Sequence, residues 1–204
     1  MKTITLCAQK GGSGKSTLGI NLAIAAKLKK RRVAIFDMDE QGTASIWSRI
    51  RTEAEPEVLA VQPNNLIKSL EAAANQLFDF VFIDTAGRDA PLVAGAIRAS
   101  DFCIVPCRPS PPDLQAVKPT VETIERLKKP FACVLTQTPV RSFRNREACE
   151  ALEIFGPVAP AYISYRIVFQ DAQGAGLGVQ EYEAKGKAAG EIAALWQWIS
   201  KRIN

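Results

Sequence analysis

The residues best suited to chemistry form a short glycine-rich segment close to Met1. Positions 9–17 read Gln-Lys-Gly-Gly-Ser-Gly-Lys-Ser-Thr. Glycines let backbone N–H groups turn toward an anion, and a helix that begins here would add partial positive charge. Lys15 would reach the β- and γ-phosphates of a nucleotide, the Ser16 hydroxyl would ligate Mg²⁺, and Thr17 would serve the α-phosphate. The segment therefore predicts a loop that binds nucleotide phosphates.

Two acidic segments end apolar stretches further along the chain. Asp37 and Asp39 follow an apolar run at 33–36, and Asp84 follows another at 80–83. Residues two apart in an extended segment point the same way, so Asp37 and Asp39 are expected to share a site. Asp84 resembles the acidic residue of a Walker B strand and would hold Mg²⁺ through a water. Gly87, just after it, would sense a γ-phosphate through its N–H.

The apolar pattern predicts the elements that must position these groups. Strands are expected at 4–8, 33–37, 80–84, 102–106 and 131–136. Helices are expected at 15–29, 66–77, 90–99, 113–127 and 144–155, with one or two more in 181–203. Strands that are apolar on both faces and separated by helices indicate an α/β fold, with a doubly wound, mostly parallel sheet flanked by helices. Ligands bind such sheets beyond the carboxyl ends of the strands, where every polar motif falls.

Composition excludes several kinds of chemistry. The 204 residues include no histidine, which rules out histidine general acid–base catalysis, Ser-His-Asp triads and histidine-containing zinc sites. The five cysteines form no CxxC pair and are expected to be reduced, buried thiols. No run is long enough to span a bilayer and none reads as a signal peptide, so we expect a cytoplasmic protein. The net charge of +5 permits contact with nucleic acid or an anionic membrane.

The phosphate loop departs from the common pattern in an informative way. The first glycine of that pattern would fall at Gln9, and a second lysine, Lys10, precedes the glycines. This arrangement resembles the deviant Walker A motif of the ParA/MinD family, P-loop NTPases related to the nitrogenase iron protein. The sequence is most similar to small plasmid-partition ParA proteins that lack an N-terminal DNA-binding extension. The resemblance covers almost the whole chain and implies a single ParA-like ATPase domain over residues 1–204.

The resemblance also assigns roles to individual residues. Lys10 would reach the nucleotide of the other subunit in an ATP-sandwiched dimer, Asp39 would position the attacking water, and Asp37 would support the magnesium shell. Glu40 stands where the family motif D-x-D-P-Q-G has proline. Catalytic roles fall to Lys10, Lys15 and Asp39, and metal ligation to Ser16, Asp37 and Asp84. Nucleotide binding is assigned to Lys10, Gly11, Gly12, Ser13, Gly14, Lys15, Ser16, Thr17, Pro106, Pro109 and Asp113.

The last three of those residues belong to a proline-rich segment at 105–114. It is similar to a segment of small ParA proteins that lies near the adenine and the dimer interface. Proline fixes φ and removes a hydrogen-bond donor, which suits a rigid ledge. The alternative is a plain loop before a helix that Asp113 caps, because aspartate favours the N-cap position.

Function follows from the resemblance as well. It implies an ATPase that uses ATP and Mg²⁺, dimerises with ATP and binds DNA without sequence preference. A cargo-bound or centromere-binding partner protein would stimulate otherwise slow hydrolysis and cause release. The cargo would be a plasmid, a chromosome region or a protein cluster, and the protein would associate with the nucleoid in the cytoplasm.

Several basic groups offer DNA contacts. Positions 27–32 hold five cations. The favoured interpretation is that they lie at the C-terminal end of a helix, where positive charge complements the helix dipole. Arg141, Arg144 and Arg146 form a second group. The predicted DNA contacts are Arg166, Lys185 and Lys187, with Arg166 first because it matches a basic position of the family; a structural role for Arg166 is the alternative.

Other functions of the same fold stay open. A MinD-like ATPase would bind membrane through an amphipathic last helix, and the helix predicted here carries two tryptophans. Its apolar residues share one face, however, as in a helix that packs on a core: Ile192, Leu195, Trp196, Ile199 and Ile203. A small-molecule ATP-dependent synthetase would need a polar substrate pocket beside the γ-phosphate, and an iron–sulfur carrier would need paired cysteines. The sequence shows neither, so membrane binding and these activities are the less favoured interpretations.

Overall fold

A computed structural model describes residues 1–87, 90–140 and 143–203, so Arg141 lies outside the described residues. The strands are β1 (Lys2–Leu6), β2 (Val33–Met38), β3 (Glu57–Ala60), β4 (Phe80–Thr85), β5 (Phe102–Cys107), β6 (Phe131–Thr138) and β7 (Ile163–Ser164). The helices are α1 (Lys15–Lys27), α2 (Thr43–Ile50), α3 (Leu66–Asn75), α4 (Ala90–Ala99), α5 (Pro111–Gln115), α6 (Lys118–Arg126), α7 (Arg144–Glu153), α8 (Val168–Gly174), α9 (Val179–Tyr182) and α10 (Lys187–Ile203). A short 3₁₀ helix at Pro63–Asn65 precedes α3.

The described strands form one parallel sheet in the order β3-β2-β4-β1-β5-β6-β7. The predicted doubly wound parallel sheet is therefore confirmed. β1 lies at its centre, and Asp84 of β4 pairs in register with Leu6 on one side and with Asp37 of β2 on the other. The chain leaves β1 for the glycine-rich loop at the same edge of the sheet. Topology thus brings the acidic strand ends to the loop.

Several elements differ from their predicted bounds. The predicted helix at 113–127 is two helices, α5 and α6, and Pro119 occupies the first turn of the second, where its missing N–H costs nothing. No element was predicted where α2, β3, β7 and α8 lie. β3 is an edge strand of four residues that is buried at no position, and its apolar residues Val58, Leu59 and Ala60 form a run too short to stand out in the sequence.

Helices pack on both faces of the sheet. The apolar face of α10 is buried, and the Trp196 ring meets Phe80 edge-on with centroids 5.1 Å apart. α10 therefore packs on the core, as predicted from its apolar face. Cys7, Cys103, Cys107 and Cys133 are buried free thiols, and Cys149 is half-buried. Among the described residues no helix is long and apolar enough to cross a bilayer.

A buried ion pair fastens α9 to α2. Arg51 faces Glu181 with both arms of its guanidinium: Nη1 lies 2.7 Å from Oε2, and Nη2 lies 2.8 Å from Oε1. Arg51 also donates to the carbonyl oxygens of Gly176 and Glu55, at 3.0 and 2.8 Å. Its side chain is only 2% exposed. Lys27 at the end of α1 is the second partner of Glu181, at 3.1 Å. The pair therefore joins three helices that the chain visits at distant positions.

Candidate functional site

The glycine-rich loop connects the end of β1 to the start of α1. Gly12 and Gly14 have φ values of +74° and +91°, which side chains rarely tolerate, so glycine is required at both. The first turn of α1 carries no acidic residue that would oppose the positive end of the helix dipole. The buried Ser13 hydroxyl has no hydrogen-bond partner. The loop therefore presents backbone and side-chain donors suited to an anion.

Two side chains from β6 hold this loop from outside. The Thr136 hydroxyl donates to the Ser13 carbonyl at 2.7 Å, and Gln137 Nε2 donates to the Gly12 carbonyl at 2.8 Å. Gln137 has φ +52°, and the pairing of β6 with β7 shifts register at this point. A non-glycine residue in this conformation costs energy and often marks a functional site. Sequence reasoning missed Gln137 because nothing in an apolar strand pattern signals the register shift.

Asp84 is a buried carboxylate without a hydrogen-bonding partner. Neither of its oxygens is exposed or accepts a hydrogen bond of normal geometry. Burial raises the pKa of Asp84 to about 7; the negative charge of Asp37 adds to this, while the Ser16 hydroxyl and Lys15 oppose it. Such a group is costly unless a cation compensates it. Its oxygens beside the Ser16 hydroxyl are hard ligands, so these residues fit Mg²⁺.

Lys15 faces the same space as the acidic residues. Burial lowers its pKa, and the nearby charges of Asp84 and Asp39 oppose that effect. Lys15 Nζ lies 3.5 Å from the carbonyl oxygen of Lys10. An ammonium group held at the mouth of the loop is the arrangement expected for contact with terminal phosphates.

Asp37 and Asp39 have different surroundings. Asp37 Oδ2 accepts hydrogen bonds from the N–H and hydroxyl of Ser45, at 2.8 and 2.7 Å, and Oδ1 accepts one from the N–H of Asp39 at 3.2 Å. Asp37 thus fixes the first turn of α2. The sequence predicts a place in the magnesium shell for Asp37 but not this structural role. Asp39 is half-buried and accepts a hydrogen bond from the N–H of Gln41 at 3.0 Å.

Gly87, predicted to sense a γ-phosphate, lies against the loop. A Cβ built at this position would be 3.3 Å from both Gly11 N and Lys15 Nζ. That is tighter than an ordinary contact, so a side chain here would push against the loop backbone. The structure therefore brings the segment after β4 to the phosphate loop.

The second lysine of the motif forms an ion pair within its own chain. Lys10 Nζ is 2.9 Å from Asp113 Oδ1, and Arg108 donates to the same oxygen through Nη2 at 3.0 Å and Nε at 3.2 Å. The Ser110 hydroxyl bonds the other oxygen. Burial alone would raise the pKa of Asp113, but Ser110, Lys10 and Arg108 together hold it below its ordinary value. Ser110 is the N-cap of α5, so Asp113 lies in the first turn and not at the predicted cap.

A pocket of about 160 Å³ opens on the other side of the loop, next to Thr17. Gln137, Tyr165 and Phe169 contribute to its lining. Pro106 and Asp113 line a separate small pocket with Lys10 and Ser13. Pro109 is half-buried on the same segment. The proline-rich segment is thus on the Lys10 side of the loop, apart from the pocket beside Thr17.

The predicted DNA contacts lie in two kinds of place. Arg166 lines the pocket beside Thr17 and donates to Glu191 Oε1 at 2.7 Å, with its side chain 21% exposed. This favours the structural alternative for Arg166, because its charge is paired and mostly shielded. Lys185 and Lys187 are exposed just before and at the start of α10. Of the three, only these two lysines are available on the surface.

Comparisons with known proteins agree with this geometry. Residues 4–176 match the family model described as the CobQ/CobB/MinD/ParA nucleotide binding domain. The "Maintenance of carboxysome distribution protein A" of Halothiobacillus neapolitanus is 30% identical over 199 residues, covering 93% of this chain and 91% of that protein.

Solved structures show the same fold at low identity. The cell division ATPase MinD of Pyrococcus furiosus superposes with a TM-score of 0.79 at 20% identity, over 98% of this chain and 99% of that one. A putative plasmid partition protein of Borrelia burgdorferi, bound to AMPPNP, superposes with a TM-score of 0.78 at 16% identity, over 98% and 99%.

Proposed function

Because the chain belongs to the CobQ/CobB/MinD/ParA nucleotide-binding family, we propose that it is a Mg²⁺-dependent ATPase of the ParA type that positions a cargo. Its ATP-bound dimer binds DNA without sequence preference and is released when a cargo-bound partner protein stimulates hydrolysis. The observation that carries this proposal is the phosphate loop with its second lysine, near the buried Asp84 carboxylate whose oxygens have no hydrogen-bond partner. The names of the relatives, one for carboxysome distribution and one for plasmid partition, support a positioning role.

The nucleotide has one natural placement across this site. Its base enters the pocket beside Thr17, and its phosphates lie over the loop N–H groups and the start of α1. Lys15 would contact the β- and γ-phosphates, and Ser16 and Asp84 would hold the magnesium ion. Magnesium supplies charge neutralisation on the phosphates. Asp39 orients the attacking water, whereas Asp37 acts by keeping α2 and the Asp39 segment in place.

Lys10 acts in the dimer. In the single chain it is paired with Asp113, and its side chain is 38% exposed, so it is held at the surface beside the loop. A second copy placed face to face would offer its triphosphate to this lysine. The ammonium group would then neutralise charge on the γ-phosphate, as an arginine finger does in other NTPases.

Lys10→Ala is expected to lower ATP turnover by roughly 10²-fold, because one cation is lost from the transition state. Binding of ATP to the single chain is expected to change little, since Lys15 and the loop amides remain. Turnover and nucleotide affinity are measured separately, by phosphate release and by fluorescent-nucleotide titration. An unchanged turnover would contradict the role of Lys10.

DNA binding depends on dimerisation in this proposal. A dimer presents twice the number of phosphate contacts, so its affinity rises steeply and falls with salt. Lys185 and Lys187 are the exposed cations proposed to carry those contacts. Arg166 is less suited, because Glu191 pairs with it.

The test is retention on DNA with ADP, with ATP and with a slowly hydrolysed ATP analogue, each compared with sedimentation on anionic liposomes. We expect DNA binding with ATP and the analogue only, and no nucleotide-dependent binding to liposomes. Equal DNA retention in all three states would contradict the switch. ATP-dependent liposome binding without DNA binding would instead identify a MinD-like membrane ATPase, and turnover that requires a metabolite would identify a synthetase.

A further inference from the structure

We propose that Arg108 is a second catalytic cation, which a chain delivers together with Lys10 to the γ-phosphate bound by a second copy. This inference rests on the proposed ATPase function and deepens it. Arg108 stands inside the proline-rich segment, after β5, where the resemblance assigned nucleotide binding to Pro106, Pro109 and Asp113 but no role to Arg108.

Lys10 and Arg108 share one carboxylate oxygen of Asp113. Lys10 Nζ and two guanidinium nitrogens of Arg108 all lie within 3.2 Å of Asp113 Oδ1. Two cations against one anion leave a surplus positive charge at this point. The Ser110 hydroxyl occupies the other oxygen of Asp113, so that carboxylate has little capacity left to compensate the surplus. The cluster is therefore ready to accept a further anion.

The two cations of this cluster are more exposed than the carboxylate that holds them. The Asp113 side chain is 6% exposed, whereas those of Lys10 and Arg108 are 38% and 35% exposed. The carboxylate of Asp113 is thus buried, and the charged ends of the two cations face solvent. Arg108 Nη1 also lies 4.0 Å from a Cβ built on Gly12, so the guanidinium reaches over the phosphate loop. Whatever lies against the outer face of this loop meets both cations together.

A guanidinium group suits the charge that develops on the γ-phosphoryl oxygens during hydrolysis. In hydrolysis the water oxygen forms a bond to the γ-phosphorus while the bond to the β–γ bridging oxygen breaks, giving ADP and inorganic phosphate and releasing the water proton to phosphate or solvent. Negative charge spreads over the γ-phosphoryl oxygens during this step. A guanidinium can donate two parallel hydrogen bonds to such oxygens, which the ammonium of Lys10 cannot do. Arg108 and Lys10 would therefore have complementary tasks.

The competing explanation is that Arg108 only anchors Asp113 and α5. In that case Arg108→Ala and Asp113→Asn, which remove the same ion pair from opposite sides, must act in the same direction. If Arg108 is catalytic they must act in opposite directions, because Asp113→Asn frees both cations for the phosphate. The pair of variants therefore separates a catalytic role from an anchoring role.

The first experiment measures ATP turnover and nucleotide affinity of Arg108→Ala, Arg108→Lys and Asp113→Asn, with Arg126→Ala on the exposed face of α6 as the control. Arg108→Ala is expected to lower kcat by roughly 10²-fold with nucleotide affinity within about twofold. Arg108→Lys should restore part of the loss, Asp113→Asn should raise turnover, and Arg126→Ala should match the wild type. Equal losses in Arg108→Ala and Asp113→Asn would overturn the proposal.

The second experiment decides whether Arg108 acts on the other copy. Asp39→Ala and Arg108→Ala chains are each expected to be nearly inactive alone. In a mixed dimer, the site of the Arg108→Ala chain has its own Asp39 and receives Arg108 from the partner. An equimolar mixture should therefore recover roughly one quarter of the wild-type rate, since half of the dimers are mixed and one of their two sites is complete. No recovery would overturn delivery between chains.

The outcomes also separate this inference from the proposed function. Absence of ATP hydrolysis by the wild-type chain would overturn the proposed function and the role of Arg108 with it. Wild-type hydrolysis together with an unimpaired Arg108→Ala variant would overturn the role of Arg108 alone.

Discussion

Asp84→Asn is expected to abolish Mg²⁺-dependent ATP hydrolysis and, at the same time, to make the ligand-free protein more stable. Both oxygens of Asp84 are buried without hydrogen-bond partners, and burial raises its pKa to about 7. Near pH 7 the wild-type protein without ligands therefore either holds a costly buried charge or keeps this carboxyl protonated, and a neutral amide removes that cost. The gain in the free energy of unfolding should be about 2 kcal/mol, because an amide is much cheaper to bury than an ion.

The measurement is thermal unfolding with a chelator and with Mg²⁺ plus a slowly hydrolysed ATP analogue. Nucleotide and magnesium should raise the Tm of the wild type and have a smaller effect on Asp84→Asn, because ligand binding to the folded state alone stabilises it. Asp37→Asn is the matched control, since its carboxylate is equally buried but fully hydrogen-bonded at the start of α2. It should lose about 1 kcal/mol. A destabilised Asp84→Asn in chelator would contradict the role as a charge kept for a cation.

Arg51→Ala is expected to destabilise the protein by about 3–5 kcal/mol, a large part of the stability of an ordinary domain. The substitution leaves the Glu181 carboxylate without its bidentate partner and the Gly176 and Glu55 carbonyl oxygens without a donor. Lys27 and the Gly178 N–H, 3.1 Å from Oε2, would remain beside Glu181. Urea unfolding gives the change in the free energy of unfolding.

The double variant Arg51→Met/Glu181→Met tests the explanation. Removing both charges should cost less than the sum of the two single substitutions, because no buried charge is then left unpaired. The exposed pair Lys118 and Glu122 on α6 is the control, and its removal should change stability by less than about 1 kcal/mol. Additive effects at Arg51 and Glu181 would mean that the pair contributes nothing as a pair.

The central sheet could be predicted because its strands are buried on both faces. β2, β4 and β5 are buried at every position and appear in the sequence as continuous apolar runs. The edge elements could not be predicted. β3 is a short, partly exposed strand and β7 is two residues long, and each depends on a neighbouring strand for its hydrogen bonds. Short strands of this kind follow from tertiary context and leave no periodic signal.

The candidate site divides in the same way. The loop residues and Asp84 follow one another in a motif order that sequence can show. The ion pair of Lys10 with Asp113 and the pairing of Arg166 with Glu191 join positions 103 and 25 residues apart, and only the fold brings them together. Arg166 was predicted as a DNA contact because it matches a basic position of the family, and a match of residue type does not show that Glu191 pairs with it. The capping duty of Asp37 was hidden for the same reason.

Gln137 stands between the pocket beside Thr17 and the carbonyl of Gly12. If that pocket takes the base, this side chain couples the identity of the base to the shape of the loop at the other end of the nucleotide. A smaller residue at Gln137 would make room for an enlarged purine but would lose the hydrogen bond to the Gly12 carbonyl. The loop would then be held less firmly, and the modified nucleotide would be hydrolysed slowly. A variant meant to accept an orthogonal nucleotide should therefore be made at Phe169, another residue that lines this pocket, with Gln137 kept.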